Sequence, residues 1–236
     1  MRASIGLALA LAGAVLAVTE VRAETSPVVV ELFTSEGCSS CPPAEALLGE
    51  LAERADVIAL AYHVDYWDGL GWKDRFSLAA ATARQKGYYR SLGLSTLYTP
   101  QMVVDGATDV VGYDRPAVEA ALKTRHGGPI PRLTRAADGK VVIELPALAG
   151  AGPAEVTLVG YSPSERTKVA RGENAGRILV EAVVVRGIIP VGRWDGGAKR
   201  FEVDVSVLPD GAAMAAVLVQ APGQGAMVGA ATLALR

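Results

Sequence analysis

The chain has 236 residues, half of them hydrophobic and a fifth charged, with 26 Gly, 13 Pro, two Cys and two His. That length suits one large domain or two small ones, and the apolar half excludes a disordered or collagen-like chain. A net charge of −2 leaves no basic footprint for nucleic acid, and two cysteines make neither a disulfide-dense scaffold nor a four-cysteine zinc site.

Met1-Arg2 gives a short positive start, Ile5 to Val18 is apolar throughout, and Val21-Arg22-Ala23 ends on a small residue. This is the pattern of a secretory signal peptide over residues 1–23, with an apolar run too short to span a bilayer. An uncleaved anchor is the competing reading. Cleavage removes Arg2, Glu20 and Arg22 and moves the net charge to about −3. No later stretch is long and apolar enough for a membrane span, so the remainder is expected outside the cytoplasm, periplasmic or secreted, where disulfides persist.

Val28 to Phe33 is a β-branched run, expected as a buried strand, and it leads into the turn Thr34 to Gly37. After Cys38-Ser39-Ser40-Cys41-Pro42-Pro43, the leucines at 47, 48 and 51 have helical spacing within 44–54. A second strand covers 56–63, an aromatic loop holds Tyr66, Trp67 and Trp72, and a helix over 77–92 closes at Gly93. A third strand, 101–104, turns at Asp105-Gly106 into 108–111. Asp114-Arg115-Pro116 opens a helix running to about Arg125. Strands alternating with helices imply a parallel or mixed sheet covered on both faces. Beyond Pro131 the runs 141–143, 156–159, 179–189, 201–207 and 216–219 are strand-like, separated by turn formers, as in an antiparallel sandwich or barrel.

Two cysteines three residues apart, at a turn from a buried strand into a helix, lie where free backbone N–H groups and the helix dipole favour a thiolate. Cys38, ahead of the helix, takes the role of nucleophile, and Cys41, in its first turn, resolves the mixed disulfide. Pro42-Pro43 can shift the regular helix to Cys41 or beyond, moving the dipole's benefit toward the second sulfur. No cation lies between the cysteines, and Glu36 and Glu45 are near, so Cys38 is expected to be less acidic than a strongly oxidising thiol. Three readings of the pair stay open: a redox dithiol, a structural disulfide, or a metal site for copper(I) or zinc joined by His63 or His126.

With Cys38-Ser39-Ser40-Cys41 and with Thr99-Pro100 ahead of the strand 101–104, the sequence resembles the thioredoxin-like proteins. The stretch Glu31 to Ala44, His63-Val64-Asp65-Tyr66-Trp67-Asp68 and Arg171 to Arg177 are similar to an uncharacterised family of bacterial secreted thioredoxin-like proteins. The resemblance implies a thioredoxin-like α/β domain over 24–129, followed by a β-rich, sandwich-like domain over 130–236. It also implies that Pro100 is cis and packs beside the disulfide, with the Thr99 backbone free to pair with a substrate peptide by strand addition. Glu31 stands near the place where thioredoxins bury a proton acceptor. It is one residue further from Cys38, which reverses its face on a strand, so a paired structural carboxylate is the alternative.

His63 and Asp65 end the second strand on one side, at the sheet edge where α/β sites form, or else His63 is simply hydrogen-bonded beside the aromatic loop. Trp67 and Trp72 offer a platform for a polypeptide or pack inward. Arg171, Asn174 and Arg177 sit in a Gly-bounded turn that is either a solvated hairpin or reaches the cysteines. The function expected from all this is an exported thiol–disulfide oxidoreductase with Cys38 and Cys41 as catalytic residues, Thr99 and Pro100 binding substrate, and protein thiols or disulfides as partners. The two sulfurs carry the electrons, so no dissociable cofactor is required. A copper-handling protein using the same dithiol, and an interaction module with a structural disulfide, are the alternatives.

Overall fold

The structure, a computed structural model, describes residues 26–124 and 128–236. The expected signal peptide and His126 lie outside these residues. In chain order the elements are β1 (Val28–Thr34), α1 (Pro42–Ala52), β2 (Val57–His63), α2 (Ala79–Ser91), β3 (Gln101–Val104), β4 (Thr108–Val111) and α3 (Arg115–Ala121). There follow β5 (Arg132–Arg135), β6 (Val141–Leu145), β7 (Ala154–Lys168), β8 (Ile178–Trp194), β9 (Lys199–Val203), β10 (Met214–Gln220) and β11 (Met227–Ala234).

Local signals place the elements through α3 near the expected runs, whereas beyond Pro131 β5 and β11 had no expected counterpart, β7 extends well past the expected 156–159 to Lys168, and β9 ends at Val203 and not at 207. Asp105 and Gly106 take φ of +48° and +65°, the paired left-handed geometry of a tight hairpin, and join β3 to β4. The Asp114 carboxylate accepts from the Ala117 N–H at 3.2 Å and caps α3. That helix ends at Ala121 rather than near Arg125, which lies outside the described residues.

The expectation of a thioredoxin-like α/β domain followed by a separate β-rich domain is overturned. The described residues are mostly strand, with three short helices among them, and eight strands form one mixed sheet in the order β11-β10-β7-β8-β2-β1-β3-β4. β1 and β2 run parallel over seven residue pairs, and β8 joins the free edge of β2 through Ala61 and Val184. The physical reason is strand length. At about 3.3 Å per residue, the 15 residues of β7 and 17 of β8 are long enough to serve both halves of the molecule. The later strands therefore complete the first half's sheet instead of closing a sheet of their own. One apolar core accordingly unites Val30, Leu60 and Met102 with Val159, Val185, Leu218 and Ala230. A second core lies between β7, β10 and the small sheet β5-β6-β9, around Ile143, Leu158, Trp194 and Val217.

The side-chain parity of β1 assigns its two faces. Thr34 donates to Glu45 of α1 at 2.6 Å, whereas Glu31 is held by Arg84 of α2 and the Phe33 ring stands against Tyr88 of α2. The two helices thus cover opposite faces, with the even-numbered β1 residues under α1 and the odd-numbered ones under α2.

Candidate functional site: a covered disulfide above a buried acid–histidine cluster

β1 and β2 end side by side at Thr34 and His63, so the loops that follow them share one edge of the sheet. The first loop brings Cys38 and Cys41 into a disulfide with a Cα–Cα separation of 5.4 Å. Cys41 is the N-cap of α1, with prolines in the first two helical positions; these carry no N–H, and the N–H groups of Ala44 and Glu45 are both bonded to the Cys41 carbonyl, at 2.9 and 3.1 Å. Ser40 Oγ stands 3.4 Å from Cys38 Sγ, placed to donate to a thiolate there. The Thr99–Pro100 bond is cis, and Pro100 packs with Ala44 and Leu32 around Gly112. Thr99 Oγ1 accepts from the Trp67 indole at 2.9 Å.

Both cysteines are fully buried while Ser39 and Ser40 are exposed. The cover is the tip between β7 and β8. Asn174, itself buried, donates through Nδ2 to the carbonyls of Glu36 and Cys38, each at 2.9 Å. Glu173 accepts from the N–H and hydroxyl of Ser39. Gly172, at φ +79°, lets the tip close on Trp72, whose Cβ lies 3.1 Å from where a side chain would begin. Of the three residues singled out in this turn, Asn174 reaches the cysteine loop, while Arg171 and Arg177 are exposed.

Beneath the loop lies a group of charged side chains from α1, β2, β8 and the loops that follow β1 and β2. His63 Nδ1 stands 2.7 Å from Asp74 Oδ2, which also accepts from the Glu36 N–H at 2.8 Å. The Nε2 atom faces Glu181 Oε1 at 4.0 Å, and both side chains are fully buried. Glu45, four residues beyond Cys41 on α1, completes the group, with ligand atoms of Glu45, His63 and Glu181 all within 4.8 Å of one another. Glu36 accepts from the Trp72 indole at 2.6 Å and lies 3.8 Å from Arg75. His63 is therefore turned toward Asp74 and Glu181, and Asp65 is bound separately by the Thr82 hydroxyl at 2.6 Å.

Burial works against a charged imidazole at His63, but the Asp74 carboxylate and its hydrogen bond, then Glu181 and Glu45, outweigh it and raise the pKa to about 9. Burial pushes Glu181 up to about 8 against the opposing charge of His63, and raises Glu45 in the same way. At Asp74 burial acts upward, yet His63 and two backbone N–H groups bring the net shift below the ordinary value. Native His63 and Glu181 therefore hold protons at pH values where the unfolded chain, at 6.5 and 4.5, releases them. Stability from both groups is lost as pH rises. Thermal melts in chelator-containing buffer are expected to peak near pH 5 and fall toward pH 9, with a weaker alkaline decline in His63→Gln. Asp74 limits the acid side, where its stabilisation disappears as pH falls. A flat profile between pH 6 and 9 would contradict this electrostatic picture.

Glu31 lies on the other face, against α2. Arg84 donates to its two oxygens at 2.5 and 2.9 Å, the Tyr88 hydroxyl donates as well, and Gln220 closes the network. The structure gives Glu31 the paired environment of the structural alternative and does not bring it to the Glu45–His63 group. The sequence reading missed Asp74 and Glu181. Glu181 had a signal, being the lone acid in the apolar run Leu179 to Val185. Asp74 had none, since Lys73-Asp74-Arg75 has the composition of an ordinary solvated loop.

Comparison with known proteins gives a family and a fold. Residues 29–220 match the family described as protein of unknown function (DUF1223). The crystal structure of protein AGR_C_4864 from Agrobacterium tumefaciens is similar at 33% identity and a TM-score of 0.77, over 90% of this chain and 96% of that one. HBP35 of Porphyromonas gingivalis shares the overall fold at 14% identity and a TM-score of 0.58, over 89% of this chain and 75% of that one. No curated protein matches. What matches along the chain is thus a family without an assigned activity, and the chain belongs to the DUF1223 family.

Proposed function

We propose that this protein is an exported thiol–disulfide exchange protein acting on other proteins through Cys38 and Cys41. The observation that carries the reading is a disulfide across three residues at the start of α1. A bridge closing so short a loop restrains the unfolded chain by only about 2 kcal/mol on the loop-entropy relation, so it is a weak staple. The same spacing keeps the second sulfur within reach of the first, as exchange requires. Among the described residues, no helix is long and apolar enough to cross a membrane.

In the reductive direction, the Cys38 thiolate attacks one sulfur of a partner disulfide and the partner's other sulfur leaves as a thiolate. The Cys41 thiolate then attacks Cys38 Sγ, re-forming the intramolecular disulfide and releasing the partner's second thiolate. Two electrons pass from the dithiol to the partner, and the oxidative direction is the reverse. The Ser40 hydroxyl stabilises the Cys38 thiolate before its attack in the first step, and in the oxidative direction as Cys38 leaves the mixed disulfide. With both sulfurs covered, each turnover requires the Asn174 tip to lift. The apolar edge of the aromatic loop, where Tyr66 and Leu70 are exposed, then stands open to a partner polypeptide.

The deciding measurement is the reduction potential of the pair, equilibrated anaerobically in glutathione or dithiothreitol buffers with mass readout. A value between about −120 and −270 mV is expected, the span of exchange proteins. In the same preparation Cys41→Ser is expected to accumulate mixed disulfides with partner proteins. A potential below about −300 mV would make the bridge a structural staple and end this reading.

A further inference from the structure

We propose that Glu45, His63 and Glu181 form a binding site for one divalent transition-metal ion of the zinc(II) class, enclosed between α1, β2 and β8. Three donors converge there, one imidazole nitrogen and two carboxylates, with no sulfur among them. That mixture suits a borderline ion such as zinc better than copper(I), which prefers thiolates, or calcium, which prefers oxygen alone.

The geometry around each donor is that of a ligand oriented from behind. Asp74 holds His63 at Nδ1, which turns Nε2 inward and leaves it without a hydrogen-bond partner. Thr34 donates to one oxygen of Glu45 at 2.6 Å, and Thr167 to Glu181 Oε2 at 3.2 Å. Glu181 Oε1 is likewise buried without a partner, and its 4.0 Å separation from His63 Nε2 is too long for a hydrogen bond. Neighbouring ligands around a tetrahedral zinc with bonds of about 2.1 Å stand about 3.4 Å apart, so His63 and Glu181, at 4.0 Å, need to close by roughly half an ångström and no pair in the group, all within 4.8 Å, by more than about 1.4 Å. A carboxylate behind a ligating histidine is the usual arrangement at zinc, where it fixes the ring and its tautomer.

Charge balance points the same way. Glu36, Glu45, Asp74 and Glu181 are all buried, and His63 is the basic side chain buried with them, while Arg75 is half exposed and reaches Glu36. Carboxylates in excess of positive charge are costly in an apolar interior, and a divalent ion takes the place of the protons that otherwise neutralise them. The site is separate from the exchange chemistry, because its donors do not change when the disulfide is reduced. Glu45 nevertheless shares α1 with Cys41, so an ion here would fix the start of that helix.

The test uses the full chain with the disulfide intact and no free thiols, stripped with chelator and dialysed against zinc(II) or cobalt(II). One equivalent is expected to bind, and the cobalt spectrum is expected to lack thiolate charge-transfer absorption. Glu181→Gln and His63→Gln are expected to weaken binding at least 10-fold, and Asp74→Asn by about 10–100-fold, the range for groups that orient a ligand. The Cys38→Ser/Cys41→Ser chain keeps the ion. Circular dichroism confirms folding of each variant, and the cobalt spectrum of the unmodified protein reports on the site should a variant fail to fold. Less than one-tenth of an equivalent in the oxidised wild type overturns the proposal. So does binding that survives the His63→Gln/Glu181→Gln pair or disappears with the cysteines. None of these outcomes touches the reduction potential, so failure here leaves the exchange reading standing and the reverse also holds.

Discussion

Replacing Arg84 by methionine is expected to lower the unfolding free energy by about 3–5 kcal/mol, read from urea denaturation followed by tryptophan fluorescence. Methionine keeps the aliphatic bulk of the side chain but removes the guanidinium from Glu31, whose carboxylate is fully buried. Arg84 donates to both Glu31 oxygens, to Tyr88 and to Gln220, so the loss strands several polar groups in an interior that water cannot reach. Much of the cost is the uncompensated charge, not the intrinsic worth of the pair. The double change Glu31→Gln with Arg84→Met should therefore recover a large part of the loss. If Arg84→Met costs under 1 kcal/mol, the pair is solvated and Glu31 becomes free for proton exchange after all.

Asn174→Ala is expected to speed reduction of the Cys38–Cys41 disulfide by dithiothreitol about 10-fold or more, with a smaller proportional effect on global stability. The Asn174 amide donates to the Glu36 and Cys38 carbonyls from a buried position. Leaving buried acceptors unsatisfied costs about 1–3 kcal/mol, and 1.4 kcal/mol is tenfold in the population of an opened tip. Exchange that proceeds through local opening follows that population when opening and closing are fast. Glu173→Gln, which alters only the exposed contact to Ser39, should change the rate far less. Arg84→Met separates local from global opening, since it destabilises the whole chain without touching the tip. If it accelerates reduction as much as Asn174→Ala, access comes from unfolding and the tip is not a gate.

Parity explains why the sequence showed where the cysteine pair lies but not what surrounds it. The pair, the turn before it and the proline ahead of β3 are local features, and the structure places them at one edge of the sheet. Glu31 was equally visible, but one extra residue between it and Cys38 puts its side chain on the face of α2, where Arg84 binds it. The group under the loop draws on positions 36, 45, 63, 74 and 181. Only its nearest members could be read together, as the charges flanking the cysteines. Asn174 was visible as a turn residue, but what it covers depends on how two strands of 15 and 17 residues are placed.

By itself, the sequence determined the alternation of strands and helices from β1 to α3, the tight turn at Asp105-Gly106, the cap at Asp114 and the position of the cysteine pair at a helix start. Each of these depends on residues within a few positions of one another. The tertiary structure decided that the two halves share one sheet, that the disulfide is covered and that His63 meets Asp74 and Glu181. Those outcomes depend on the edge of β2 that β8 joins. Such pairing is settled by burial of apolar faces across more than a hundred residues of chain, which no local pattern encodes.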